Sequence, residues 1–162
     1  MSEHSFSPDG IFRALESHRV DYVTIGGIAA NAHGSRRLTL DVDIIPRPDE
    51  ANYMRLAAAL DELSAPQTAV DSEFRSLEPR DSFDLARASV LKLPTAAGDL
   101  EVVNGAPGAP PYEDLSERAI DVKVRGTRIR VASLDDLIAM KRAAGRPQDL
   151  RDIADLTDGP TT

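Results

Sequence analysis

The chain has 162 residues, 19 Lys plus Arg against 27 Asp plus Glu, and a formal net charge of −8 at pH 7. Hydrophobic residues make up 41% and charged residues 28%, a balance that buries a core, and the length fits one domain over residues 1–162. The absence of Cys excludes disulfides, thiolate metal sites and a cysteine nucleophile, and four Phe, three Tyr and no Trp are too few for a base-stacking platform.

Ile11, Phe12 and Leu15 fall at helical spacing and predict a first helix over Pro8 to His18. Asp21 to Ile25 is a short β-rich run that stops at Gly26-Gly27. Ile28 to His33 is Ala-rich and predicts a short helix ended by Gly34. Leu40 to Ile45 alternates apolar and acidic residues, the pattern of a half-buried strand, and Pro46 and Pro48 halt it. Asp49 to Leu63, with Met54, Leu56, Ala59, Leu60 and Leu63, is the strongest helical stretch of the chain. Ala69 to Phe74 reads as a strand, and Ser89 to Leu93 and Asp99 to Val103 as two more, joined around Pro94 to Gly98. Asn104 to Pro111 is a Gly/Pro loop, and Tyr112 to Arg118 a helical turn. Ala119 to Arg125 and Arg128 to Val131 flank Gly126-Thr127 as a hairpin. Ser133 caps a helix running to about Ala144, and a last helix spans Gln148 to Leu156. Helices at both ends with strands between predict an α/β or α+β fold with a small mixed sheet flanked by helices.

His4, His18 and His33 are scattered, without the paired spacing of a zinc enzyme. No apolar run approaches the roughly 18 residues of a membrane span, and Met1 to Gly10 is too polar for a signal peptide, so a cytoplasmic protein with no membrane partner is expected. Leu115 to Arg151 holds nine basic and five acidic residues, so this segment is positive in an acidic chain. Such a run is either a solvated face or a basic wall toward an anionic ligand.

The chemistry concentrates in Tyr22 to Ile45. On a strand Asp41 and Asp43 point to one face, and Val42 and Ile44 to the other. Two same-face carboxylates repel unless a cation lies between them, and Mg²⁺ prefers carboxylate oxygen. Gly26-Gly27 at a strand end before a helix offers bare backbone amides to a phosphate. Arg37 and Thr39 share the face of Asp41; Arg37 either clamps a phosphate or pairs with Asp41 or Asp43.

In this order, with thirteen residues between Gly27 and Asp41, the set resembles the minimal nucleotidyltransferase superfamily, whose fold is the DNA polymerase β palm. Gly26-Gly27 … His33-Gly34-Ser35-Arg36-Arg37-Leu38-Thr39-Leu40-Asp41-Val42-Asp43 is most similar to the AbiEii-type branch of toxin–antitoxin pairs. The likeness extends through Leu93-Pro94-Thr95, Gly98, Glu101, Tyr112, Ser133 to Ile138, Lys141, Asp149 and Asp152. Two departures stand out: Gly27 replaces a serine of other branches, and the third carboxylate falls on Glu101 where the family usually has Asp, with Asp99 on the same strand face. The resemblance implies that Asp41, Asp43 and Glu101 hold two Mg²⁺ and catalyse, and that Gly26, Gly27, Arg37, Thr39 and Lys141 bind the NTP co-substrate. It implies transfer of NMP to an acceptor hydroxyl, on tRNA or protein, as a toxin with an antitoxin partner. A small-molecule acceptor such as an antibiotic, or a nucleotide- or partner-binding module without activity, are the alternatives. The cations Lys123, Arg125, Arg128 and Arg130 on the hairpin favour a phosphate-bearing partner.

Overall fold

The computed structural model describes residues 8–124 and 126–158 of the chain. Seven helices and eight strands are present among them: α1 Pro8–Ser17, β1 Tyr22–Ile25, α2 Gly26–Ala32, β2 Asp41–Pro46, α3 Glu50–Glu62, β3 Ala69–Val70, β4 Ser76–Leu77, α4 Ser82–Arg87, β5 Val90–Thr95, β6 Gly98–Val103, α5 Tyr112–Arg118, β7 Ile120–Val124, β8 Thr127–Val131, α6 Leu134–Ala144 and α7 Pro147–Asp158. Six strands form one mixed sheet in the order β5-β6-β2-β1-β8-β7, and β3 and β4 pair by themselves. Within the large sheet β2 runs parallel to β6 and β1 parallel to β8, and the remaining neighbours are antiparallel. This is the mixed sheet flanked by helices that the residue pattern predicts.

Period-2 patterning sets the two faces. Val42 and Ile44 of β2, Leu100 and Val102 of β6, and Leu91 and Leu93 of β5 are fully buried against Ile11, Phe12 and Leu15 of α1 and Leu56 and Leu60 of α3. Each such side chain contributes about 1.5–3 kcal/mol by leaving water. A one-residue slip would turn this set outward, so the register of β2, β5 and β6 is firmly held. On the opposite face Val23, Ile25, Ile45 and Val103 join Leu115 of α5 and Met140 of α6 in a smaller core. Along β2 and β6 that second face begins as Asp41, Asp43, Asp99 and Glu101 and becomes apolar only at Ile45 and Val103.

The helix starts follow their caps. Asp49 accepts from the amide of Asn52 and opens α3, and Ser133 accepts from that of Asp136 and opens α6. Gly145, at φ +64°, closes α6 in the left-handed conformation. The expected strand over Ala69 to Phe74 is a correction: β3 has only two residues. Asp71 turns the chain there, because its carboxylate accepts from the amides of Glu73, Arg75 and Ser89. The sequence pattern also missed β4 and α4, which are too short to carry a period. Arg125 of the expected hairpin lies outside the described residues.

Candidate active site

The parallel register of β2 on β6 places Asp41 opposite Asp99 and Asp43 opposite Glu101. All four carboxylates occupy the N-terminal ends of the two strands, on one face. On the other side of β2, β1 runs antiparallel and pairs Ile25 with Asp43. The chain therefore leaves β1 beside Asp43, and the residue at that exit is Gly26.

Gly26 has φ +72°, and a Cβ there would lie 2.1 Å from Asp43 Oδ2. Only glycine permits both the conformation and the approach. A Cβ on Gly27 would lie 2.6 Å from Thr39 Oγ1. Thr39 in turn donates to the carbonyl of Asp41 at 3.3 Å. The two glycines thus let α2 begin directly against Asp43 and Thr39, and Gly26, Gly27, Thr39, Asp41, Asp43 and Glu101 gather in one place. Glu101 sits beside Asp43, whereas Asp99 sits beside Asp41.

The electrostatics of the pair are unusual for a surface strand. The Asp43 carboxyl is pushed up to about 8, chiefly by burial, then by its hydrogen bond with Glu101 and the charges of Glu101 and Asp41. Asp43 Oδ1 is buried with no hydrogen-bond partner among the described residues. A buried, unpaired carboxylate oxygen of this kind is a place where a cation can be accommodated. A hard divalent cation is the group that satisfies an orphaned carboxylate oxygen beside a second carboxylate, so the donor set fits Mg²⁺. The oxygens of Asp41, Asp43 and Glu101 are not all within 4.8 Å of one another; among the described residues that spacing is met by Glu78, Asp81 and Asp84. That second group is spent locally, since Asp81 caps α4 and Asp84 accepts from the Glu78 amide and from Arg87.

The cations are arranged differently from the sequence expectation. Lys141, expected at the NTP, has its ammonium buried and paired with Asp152 at 2.8 Å. Arg37 also donates to Asp152, at 3.0 Å, rather than reaching Asp41 or Asp43, and Gln148 supplies a third donor at 2.9 Å. Burial pushes the Asp152 carboxyl up, but the Lys141 and Gln148 hydrogen bonds and the charges of Lys141 and Arg37 overcome it and hold it below the usual range. Asp149 pairs with Arg146 at 2.7 Å. Arg146, Lys141 and Gly26 line a cavity of about 150 Å³ between the start of α2, the loop at Ala106-Pro107 and α6. His33 closes α2 and donates from Nε2 to the carbonyl of Ala132 at 2.8 Å, a structural contact.

One site residue escaped sequence reasoning. Lys92 of β5 faces the carboxylates, with Nζ 3.6 Å from Asp41 Oδ2 and 4.0 Å from Asp99 Oδ2. The signal was present in Leu91-Lys92-Leu93: alternation sends a lone lysine to the polar face of the strand beside β6.

The chain is similar in sequence family and in fold to known nucleotidyltransferases. The family described as "Nucleotidyltransferase of unknown function (DUF6036)" matches residues 13–157. No protein of curated function matches the chain by sequence. Among solved structures, the lincosamide antibiotic adenylyltransferase LnuA, in its lincomycin-bound form, superposes with a TM-score of 0.62 at 15% identity, over 94% of this chain and 97% of that one. A nucleotidyltransferase from Thermotoga maritima (TM1012) gives 0.57 at 16% identity, over 91% and 88%. The antibiotic-resistance factor ANT(2'')-Ia gives 0.58 at 13% identity, over 93% and 81%. At these identities the likeness is one of fold. Closeness to the AbiEii-type branch in particular is not among these matches.

Proposed function

The chain belongs to the DUF6036 nucleotidyltransferase family, and on that premise we propose that it transfers NMP from an NTP to an acceptor hydroxyl with Mg²⁺ held by Asp41, Asp43 and Glu101. The observation that carries this reading is the Asp43–Glu101 pair, with one orphaned oxygen, set against the backbone of Gly26. Two ions in such a site supply charge neutralisation at the transferring phosphoryl group and lower the pKa of the attacking hydroxyl. The chain's own residues do the rest. Asp43, central in the row between Gly26 and Glu101, ties the cation site to the glycine backbone. Gly26 and Gly27 keep side chains away from the approach of the phosphates. Arg146 and Lys141 line the cavity beside Gly26, where each is already paired with a carboxylate, Arg146 with Asp149 and Lys141 with Asp152. The hydroxyl oxygen attacks the α-phosphorus, the new O–P bond forms as the bond to the bridging oxygen breaks, and pyrophosphate leaves. Thr39 holds the backbone of Asp41 through its hydroxyl. Arg37 acts through Asp152, fixing the segment before β2 to α7.

For the acceptor, the reading is a hydroxyl of tRNA or protein, in a toxin–antitoxin pair. Lys123 and Arg128 on the exposed β7–β8 hairpin support a phosphate-bearing partner. A small hydroxylated molecule is the second reading, supported by the likeness in fold to LnuA over 97% of that chain. The test is pyrophosphate release from each NTP with Mg²⁺, in the presence of tRNA, of candidate protein, or of small hydroxylated acceptors. Release stimulated by one acceptor and abolished in Asp43→Asn supports the proposal. Release unaffected by Asp43→Asn contradicts it.

A further inference from the structure

We infer that Lys92 is a built-in competitor for the divalent cation at Asp41: its ammonium holds this carboxylate in the cation-free protein and must release it when a cation enters. The inference rests on the reading above that Asp41 is a cation ligand.

Lys92 cannot choose another face. Leu91 and Leu93 are both fully buried, and Lys92 stands opposite Glu101 in the antiparallel register of β5 on β6. Its Nζ lies across β6 from Asp41, 3.6 Å from Asp41 Oδ2 and 4.0 Å from Asp99 Oδ2. The groups facing it are Asp41, Asp99 and Glu101, with Asp43 behind them, and its positive charge is one that Asp43 senses. A hard cation binds carboxylate oxygen at roughly 2.0–2.1 Å, so an entering Mg²⁺ and an ammonium on the same oxygen repel strongly. The Lys92 side chain is 58% exposed, and its flexible four-carbon stem leaves room to swing away. An exposed pair of this kind adds little to stability. Its effect falls instead on the occupant of the carboxylates: one positive charge a few ångströms from a divalent ion weakens binding, and removing it tightens binding.

The experiment is Mn²⁺ titration of the full chain by calorimetry, with electron paramagnetic resonance counting free Mn²⁺. Wild type, Lys92→Met, Lys92→Arg and Asp41→Asn/Asp43→Asn are compared at low and high salt. We expect Lys92→Met to bind Mn²⁺ about five- to tenfold more tightly at low salt, a gap that narrows in high salt as the charge is screened. Lys92→Arg should stay within about threefold of wild type, since the charge is kept. Equal or weaker binding by Lys92→Met, with circular dichroism unchanged, overturns the inference while leaving the cation site standing. A wild type that takes up no more Mn²⁺ than Asp41→Asn/Asp43→Asn overturns both the inference and the cation reading.

Discussion

Asp43 is the residue on which the electrostatics turn. Its carboxyl is raised to about 8 by burial and by Glu101, so the folded, cation-free protein keeps a proton there that the unfolded chain releases near 4. Between those values the folded state binds more protons, and stability therefore falls as pH rises from about 4 to about 8. Urea unfolding of the cation-free protein should show this decline, and Asp43→Asn should flatten it and raise stability at pH 8. A decline that persists unchanged in Asp43→Asn would remove Asp43 as its source. Mg²⁺ requires the carboxylate, so its binding should release a proton near pH 7, seen as a buffer-dependent heat in calorimetry. Gly26 belongs to the same unit. Gly26→Ala should destabilise by about 1–2 kcal/mol from its left-handed backbone, with a further loss from the collision with Asp43. In Asp43→Ala most of that further loss should disappear, the Cβ of residue 43 alone remaining at 3.2 Å, a coupling that a double-mutant cycle measures. Gly27→Val is a poorer probe of phosphate approach, because the valine would fill the place of Thr39 before any nucleotide arrives.

Among the elements, α6, α7 and the segment before β2 are joined at Asp152, which is 1% exposed and accepts from Lys141, Gln148 and Arg37. Asp152→Ala leaves the buried Lys141 ammonium unpaired, and the expected loss is about 3–5 kcal/mol. Chemical denaturation of this variant checks it, and a loss under about 1 kcal/mol would show that water replaces the carboxylate. Because the Asp152 carboxyl titrates below its usual range, the stability it contributes is present above about pH 4 and is lost on acidification, opposite in sign to Asp43. This hub also marks where sequence reading stopped. The Asp149–Arg146 pair was legible as an i, i+3 neighbour on one helix start, but Asp152 meets Arg37 across 115 positions, and no local period encodes that. By contrast β2, α3 and α6 were legible almost to the residue, since each has a strong period and a stop or cap. Lys92 was readable from alternation alone; what hid it was the neighbourhood of β5, known only once β6 pairs with both β5 and β2.

For the molecule as a whole, the sheet order explains why residues from four separate stretches meet. Placing β6 beside β2 and β1 on its other side brings Lys92, Glu101, Asp43 and Gly26 into a row across four adjacent strands or their ends. One face of this row is fixed by the larger core, so the acidic face is held without needing to stabilise the fold itself. A cation that binds only the folded protein should stabilise it by about 2.7 kcal/mol at a hundredfold excess over its Kd. Thermal unfolding with and without Mg²⁺ should show an increase in wild type that is absent in Asp41→Asn/Asp43→Asn. The most direct measurement of the central claim is label transfer from ATP labelled at the α- or at the γ-phosphate, with Mg²⁺ and pools of tRNA, protein or small hydroxylated acceptors. Attachment of the α-label alone, with pyrophosphate released and both lost in Asp41→Asn/Asp43→Asn, is the predicted result. Attachment of the γ-label, or α-label transfer that survives the double substitution, would contradict nucleotidyl transfer at this site.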